Sequence, residues 1–308
     1  MKYSLYQESR KGGRAGNQDR IGYAYTPDTI LTVLADGMGG HAKGEVAAQL
    51  FIDVVLSMFR KQAKPTLEDI TDFLLDSIYT AHEAINHYAD EHKMKDTPRT
   101  TCVICVVQSG KAFWAHVGDS RLYHFSTDGL VSRTRDHSAV QSLLDDGLIA
   151  EDEVNTHPDR NKLYNSVGGF ILPNIELSAG VTLREGDVLL LATDGFWSEL
   201  EPDEMLSTLR VYSLKQSLIQ LMDHAEYWAG DHGDNLSVIA LRCGEDMSDL
   251  DNRTLIGPGM EGFTTELEAL AGKRLDHAQV MSDLEIDKAI EEIRQALQKH
   301  NLDKPDKP

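Results

Sequence analysis

Three cysteines in 308 residues are too few, and too unevenly placed, for a disulfide framework. Cys102 and Cys105 form a C-x-x-C, but it lies in the β-rich run Thr101-Cys102-Val103-Ile104-Cys105-Val106-Val107, where side chains three apart point to opposite faces. That placement argues against a zinc or redox role and for buried thiols. Basic residues are scarce too: 30 Lys and Arg stand against 50 Asp and Glu, a formal net charge of -20, which argues against a nucleic-acid or anionic-membrane partner. No apolar run is long enough to span a bilayer. The start Met1-Lys2-Tyr3-Ser4-Leu5-Tyr6-Gln7-Glu8 lacks the apolar core of a signal peptide, so the expected location is the cytoplasm. Otherwise the composition, 41% hydrophobic and 26% charged, is that of a globular chain.

What the chain does have is one device used repeatedly. In Val33-Leu34-Ala35-Asp36-Gly37-Met38-Gly39-Gly40-His41 an apolar run ends in aspartate, followed by a glycine-rich turn, a histidine and a helical pattern from Val46 to Met58. A carboxylate at the tip of a buried strand is costly unless a positive group meets it, and glycines let main-chain carbonyls approach a bound group. Taken alone, this stretch reads equally as a cation site or as a strand-to-helix turn with its aspartate favourably near a helix start. The same device recurs at Gly118-Asp119-Ser120 and at Thr193-Asp194-Gly195, and inverted at Gly233-Asp234-Asn235, where the aspartate precedes its strand.

Period-2 and period-3.6 patterns place these sites. Ile21 to Thr26 and Ile30 to Ala35 form a hairpin that brings Asp19 near Asp36. Two helices follow, Gly44 to Phe59 and one opened by a Thr66/Asp69 capping box, with apolar stripes that need only core packing. Residues 101–134 read as an antiparallel meander, 139–144 as a short helix, and 148–161 as an exposed loop. Strands are expected at Ile175 to Val181, Asp187 to Ala192 and Leu236 to Leu241, and helices at Glu204 to Leu209 and Ser213 to Trp228, with Tyr227-Trp228 as core. From Gly244 the composition turns polar around Gly257-Pro258-Gly259. A short helix at Thr264 to Ala271 and an amphipathic one from Ser282 to His300 are expected beyond it. The division is thus 1–243 and a 244–308 linker with a C-terminal helical extension.

Clustered aspartates raise one another's pKa unless cations compensate, and an all-oxygen donor set suits Mg2+ or Mn2+. Two such ions side by side activate a water and neutralise phosphoryl charge. Arg14 offers a bidentate phosphate clamp, or is an ordinary surface arginine; His41 is a candidate general acid, or a partner for Glu45. His137, His157 and His232 fall in polar loops and read as solvated.

Arg14-x-x-Asn17-Gln18-Asp19, Asp36-Gly37-Met38-Gly39-Gly40-His41, Gly118-Asp119-Ser120-Arg121, Asp136-His137-Ser138, Thr193-Asp194-Gly195 and Gly233-Asp234-Asn235, in this order, resemble the metal-dependent serine/threonine protein phosphatases of the type 2C (PPM) family in its compact bacterial form. The resemblance covers roughly residues 10–243. It implies an α+β fold, a four-layer α-β-β-α sandwich of two antiparallel sheets flanked by helices. It also implies that Asp36 bridges two Mn2+ or Mg2+ ions, with Gly37 offering its carbonyl. Asp194 and Asp234 would complete one ion, Asp19 would serve the other through water, and Asp119 would hold a third, weaker one. Asn235 would steady the Asp234 loop. Residues 148–169, with Asp159 and Asn161, would form the family's substrate flap. The implied activity is hydrolysis of phosphoserine and phosphothreonine on proteins phosphorylated by a bacterial serine/threonine kinase, in signal transduction, with the tail regulating the enzyme or docking a partner. The chain departs from the family in Gln18 for glutamate, Arg99-Thr100-Thr101 for Gly-Thr-Thr, and the lack of an arginine in Lys162 to Gly168. A catalytically dead phosphoprotein-binding module and a small-molecule phosphoesterase are the competing classes.

Overall fold

In a computed structural model of the chain, which describes residues 2–38, 43–244, 254–256 and 265–266, the expected hairpin pairs β2 (Arg20–Tyr25) with β3 (Thr29–Ala35). Arg20 lies opposite Ala35, so Asp19 and Asp36 extend from the same open end. The other strands are β1 (Tyr3–Arg10), β4 (Gly37–Met38), β5 (Arg99–Thr100), β6 (Cys102–Gln108), β7 (Lys111–Val117), β8 (Arg121–Phe125), β9 (Leu130–Arg133), β10 (Glu176–Leu177), β11 (Val181–Thr182), β12 (Val188–Ala192), β13 (Leu236–Cys243), β14 (Thr254–Ile256) and β15 (Thr265–Glu266). The helices are α1 (Gly44–Gln62), α2 (Ile70–Glu91), α3 (Ala139–Asp145), α4 (Asp194–Trp197), α5 (Pro202–Val211) and α6 (Leu214–Ala229).

One sheet runs β14-β1-β13-β12-β8-β9, the other β10-β7-β6-β3-β2-β15, with β11 also on β7; every pairing is antiparallel. Three apolar layers hold the four structural ones together. Phe51, Phe59 and Phe73 of α1 and α2 pack on Ile104 and its neighbours; Leu34, Val103, Leu189 and Ile239 fill the space between the sheets; Leu190 and Val238 meet Phe196, Met205 and Leu218 under α4, α5 and α6. Because strand side chains alternate, Leu189 and Leu190 serve different layers. So do Cys102 and Cys105, both free and buried, as their spacing required. Each fully buried Leu or Phe here contributes roughly 2 kcal/mol of hydrophobic stabilisation.

Several expectations are corrected. Strand β1 was not anticipated: its polar YSLYQESR pattern becomes a strand by pairing along its whole length with β13. The α2 cap is Asp69, whose carboxylate accepts from Asp72 N at 3.0 Å, one turn later than the Thr66 start. Residues 265–266 are strand, where a short helix was expected, and β14 falls inside the expected linker. Tyr227 and Trp228 are not core but 77% and 62% exposed, because α6 turns its other face to the sheet. The amphipathic helix expected from Ser282 to His300 lies outside the described residues.

Candidate metal centre

All the singled-out aspartates leave strands at one rim of the sandwich. Asp19 and Asp36 come from the β2–β3 end of one sheet. Asp194 follows β12 and Asp234 precedes β13 in the other, where Ala192 pairs with Val238. Asp119 sits on the Gly118-Asp119-Ser120 crossing from β7 to β8, the point at which the chain changes sheets. Gly118 takes a φ of +101°, and a Cβ there would lie 2.6 Å from Thr101 Cγ2, so only glycine makes this crossing. The same holds at Gly37: an added Cβ would lie 2.2 Å from Gly44 O and 2.8 Å from Gln18 O, both rigid backbone atoms.

Hydrogen bonds fix this rim from both sheets. Asp36 O accepts from Thr101 N (2.9 Å) and Thr100 Oγ1 (2.7 Å). Thr193 Oγ1 donates to Asp19 Oδ2 at 2.9 Å and accepts from Ser237 N at 2.9 Å, while Asp19 Oδ1 is buried with no partner. Asn235 spans between the Asp234 loop and the Arg14 loop: Oδ1 accepts from Gln18 N (2.8 Å), and Nδ2 donates to Lys11 O (2.8 Å) and Gly16 O (2.9 Å). The Asp119 carbonyl accepts from Trp197 Nε1 at 3.0 Å; Arg121 stacks on that indole at 3.3 Å and forks onto Asp136 through two 2.8 Å bonds.

Electrostatically the rim is a trap for cations. Burial first, then the neighbouring carboxylates Asp19, Asp194, Asp119 and Asp234, push Asp36 well above the usual carboxylate range. Burial, with Asp194 and Asp136, does the same to Asp119. Asp19 is raised to about 7, burial outweighing its bonds to Ser237 and Thr193, and Asp194 to about 6, through burial and Asp234. Asp36 and Asp194, from the two different sheets, are close enough for each to shift the other's titration. Without cations this centre holds protons in their place. That, together with the orphaned Asp19 oxygen and an all-oxygen donor set, fits hard divalent ions.

The cleft over the rim is lined by Arg14, Asp119, Asp194 and Asp234 on one side and by Val154, Arg160 and Asn161 on the other. Arg14 is half-exposed and paired with Asp234 at 2.6 Å. Asp159 is not in the cleft wall; it pairs with Lys162 at 2.7 Å. His41, together with Gly39 and Gly40, lies outside the described residues. His232 is exposed at the cleft edge as expected, whereas His137, expected to be solvated, is only 4% exposed. Thr193, Thr101, Trp197 and the Arg121–Asp136 pair were given no role from sequence; their partners are distant in the chain.

Residues 7–227 match the protein family described as protein phosphatase 2C. The chain belongs to the protein phosphatase 2C family. This phosphatase is 30% identical over 243 residues, 77% of this chain and 94% of the relative, to the Listeria innocua serine/threonine phosphatase stp. It is similar in structure to the Mycobacterium tuberculosis serine/threonine phosphatase PstP, at 27% identity and a TM-score of 0.70, covering 80% of this chain and 100% of that one. It is also similar to the catalytic domain of PstP in complex with two manganese ions, at 26% identity, a TM-score of 0.66 and coverage of 78% and 98%. The four-layer architecture expected from the motifs is thereby that of the family, a family of metal-dependent phosphatases.

Proposed function

We propose that this phosphatase hydrolyses phosphoserine and phosphothreonine on proteins in one step, with no covalent phosphoenzyme. The convergence of five aspartates on one rim, four of them driven to hold protons by burial and by one another, supports this reading most strongly. Asp36, with the Gly37 carbonyl beside it, would be a ligand shared by two Mn2+ or Mg2+ ions. Asp194 and Asp234 would serve one ion, Asp19 would orient water on the other, and Asp119 would serve a third. When bound, the ions make water a competent nucleophile near neutral pH and offset charge on the phosphoryl group.

Arg14 binds the phosphate. Its present partner Asp234 is a proposed ligand, so an Asp234 engaged by a cation would leave the guanidinium free to fork onto phosphate oxygens. Water attacks phosphorus in line, the bond from phosphorus to the serine or threonine oxygen breaks, and His41 gives that oxygen its proton. Inorganic phosphate and the free hydroxyl are released. Asn235 keeps the loops of Arg14 and Asp234 in register, and Asn161 faces the substrate from the flap.

Among the described residues no helix is long and apolar enough to cross a membrane, in keeping with cytoplasmic phosphoproteins of a bacterial kinase as substrates. Phosphate release from a phosphothreonine peptide is expected to need added Mn2+ or Mg2+ and to exceed release from a nucleotide at equal concentration. Full activity in chelator, or preference for the nucleotide, contradicts the reading. Residues 245–308 are proposed to regulate the enzyme or dock a partner. Truncation after residue 244 tests this, and unchanged activity, stability and partner binding reject it.

A further inference from the structure

We propose that His116, His137 and Glu176 form a second metal site, built for Zn2+ or a similar transition ion and separate from the carboxylate rim. One ligand atom from each lies within 4.8 Å of the other two, the one such group among the described residues. The backbone presets the arrangement. His116 on β7 and Glu176 on β10 are register partners, and His137 N donates to Gly118 O at 2.9 Å, which holds its ring stacked on that of His116 with centroids 4.7 Å apart. His137 Nε2 and Glu176 Oε2 are 3.5 Å apart, long for a hydrogen bond but close to the roughly 3.3 Å that separates two ligands of a tetrahedral zinc ion. Two imidazoles with one carboxylate select Zn2+, Co2+ or Cu2+ over Mg2+. The rim, with oxygen donors only, has the opposite preference.

An independent observation comes from His116, which is 1% exposed. Its Nε2 faces Arg135 O at 2.8 Å, so the neutral ring carries its proton there and leaves Nδ1 as a bare lone pair. That atom is buried with no hydrogen-bond partner. A histidine whose outer nitrogen donates to a carbonyl while its inner nitrogen has no donor is in the form a metal ligand takes. Glu176, half-exposed, gives the ion access from solvent.

His137 sets the condition for loading. Its Nδ1 accepts from Asn165 Nδ2 at 2.7 Å and from Gly118 N at 3.2 Å, which puts the ring proton on Nε2, the nitrogen that faces Glu176. Coordination through Nε2 moves that proton to Nδ1, where it needs an acceptor. Asn165 Oδ1 becomes that acceptor only if the amide turns, giving up its bonds to Asn174 O (2.6 Å) and Asn174 N (3.1 Å), and the bond from Gly118 N to Nδ1 is given up as well. Ion binding is therefore coupled to the 165–174 segment, which joins the flap to β10.

Co2+ titration of the full chain in saturating Mg2+, followed by visible absorption, tests the proposal. Tetrahedral coordination with nitrogen ligands absorbs far more strongly than an octahedral oxygen site. Wild type is expected to show one intense band that Zn2+ displaces. His116→Gln and Glu176→Gln should lose it. Mg2+-supported activity of Glu176→Gln, at the exposed edge, verifies that the fold is intact. No intense band in wild type, or a band that survives in Glu176→Gln, overturns the proposal.

Discussion

Asp19 shows at the scale of one residue what the rim is built to do. Its Oδ2 is satisfied by Thr193, its Oδ1 by nothing in the protein, and its pKa stands at about 7. With Asp194 at about 6, the folded, cation-free chain binds more protons than the unfolded chain between the ordinary aspartate range and about pH 7. Stability of the chelated protein is therefore expected to fall as pH rises through 4 to 7, by on the order of 5 to 7 kcal/mol. Added Mn2+ should raise Tm more at pH 7.5 than at pH 5; thermal melts with and without chelator check both the slope and the difference. The aspartates themselves were legible in the sequence because each lies at the edge of a strand pattern and all but Asp19 lie beside a glycine. Thr193, Trp197 and the Arg121–Asp136 pair were not, because what they do depends on a partner brought close only by folding, such as Asp19 for Thr193, 174 positions away.

At the scale of elements, α1 carries a further carboxylate under strain. Asp53 is raised to about 6 by burial, which outweighs its bond from Gln49 and the charges of Arg60 and Arg20. A raised carboxylate contributes fully below the unfolded value and loses its contribution as pH rises through the folded one. Asp53→Asn is expected to stabilise the protein by about 2 kcal/mol at pH 7 and not at all near pH 3.5, as read from urea midpoints at the two values. Helices α1, α2 and α6 and the β2–β3 hairpin were readable because their periodicity is local. Strand β1 was hidden by its polar composition, since its register is set along its whole length by β13, far away in the chain. Tyr227 and Trp228 misled for the opposite reason: aromatic residues at the end of an amphipathic helix look like core until the helix face is known.

On the scale of the whole molecule, the sandwich exists to align two sheet ends. One sheet delivers Asp19 and Asp36, the other Asp194 and Asp234, and the apolar layer containing Leu34, Val103, Leu189 and Ile239 holds the two sets at a fixed spacing. The four layers were implied by the family resemblance that the motifs carry and the rim by aspartates at strand ends, whereas β14 and β15, which extend the sheets within the expected linker, had no periodic signal in so few residues. The central claim is that Asp36 joins the two sets as a shared ligand. Equilibrium Mn2+ binding to wild type and to Asp36→Asn, counted by the paramagnetic signal of free Mn2+, tests it most directly. The account predicts that the two tightest equivalents of wild type are lost together in the variant, with phosphatase activity. Loss of one equivalent with the other unchanged would contradict a bridging Asp36, and retention of both would contradict the rim as the metal centre.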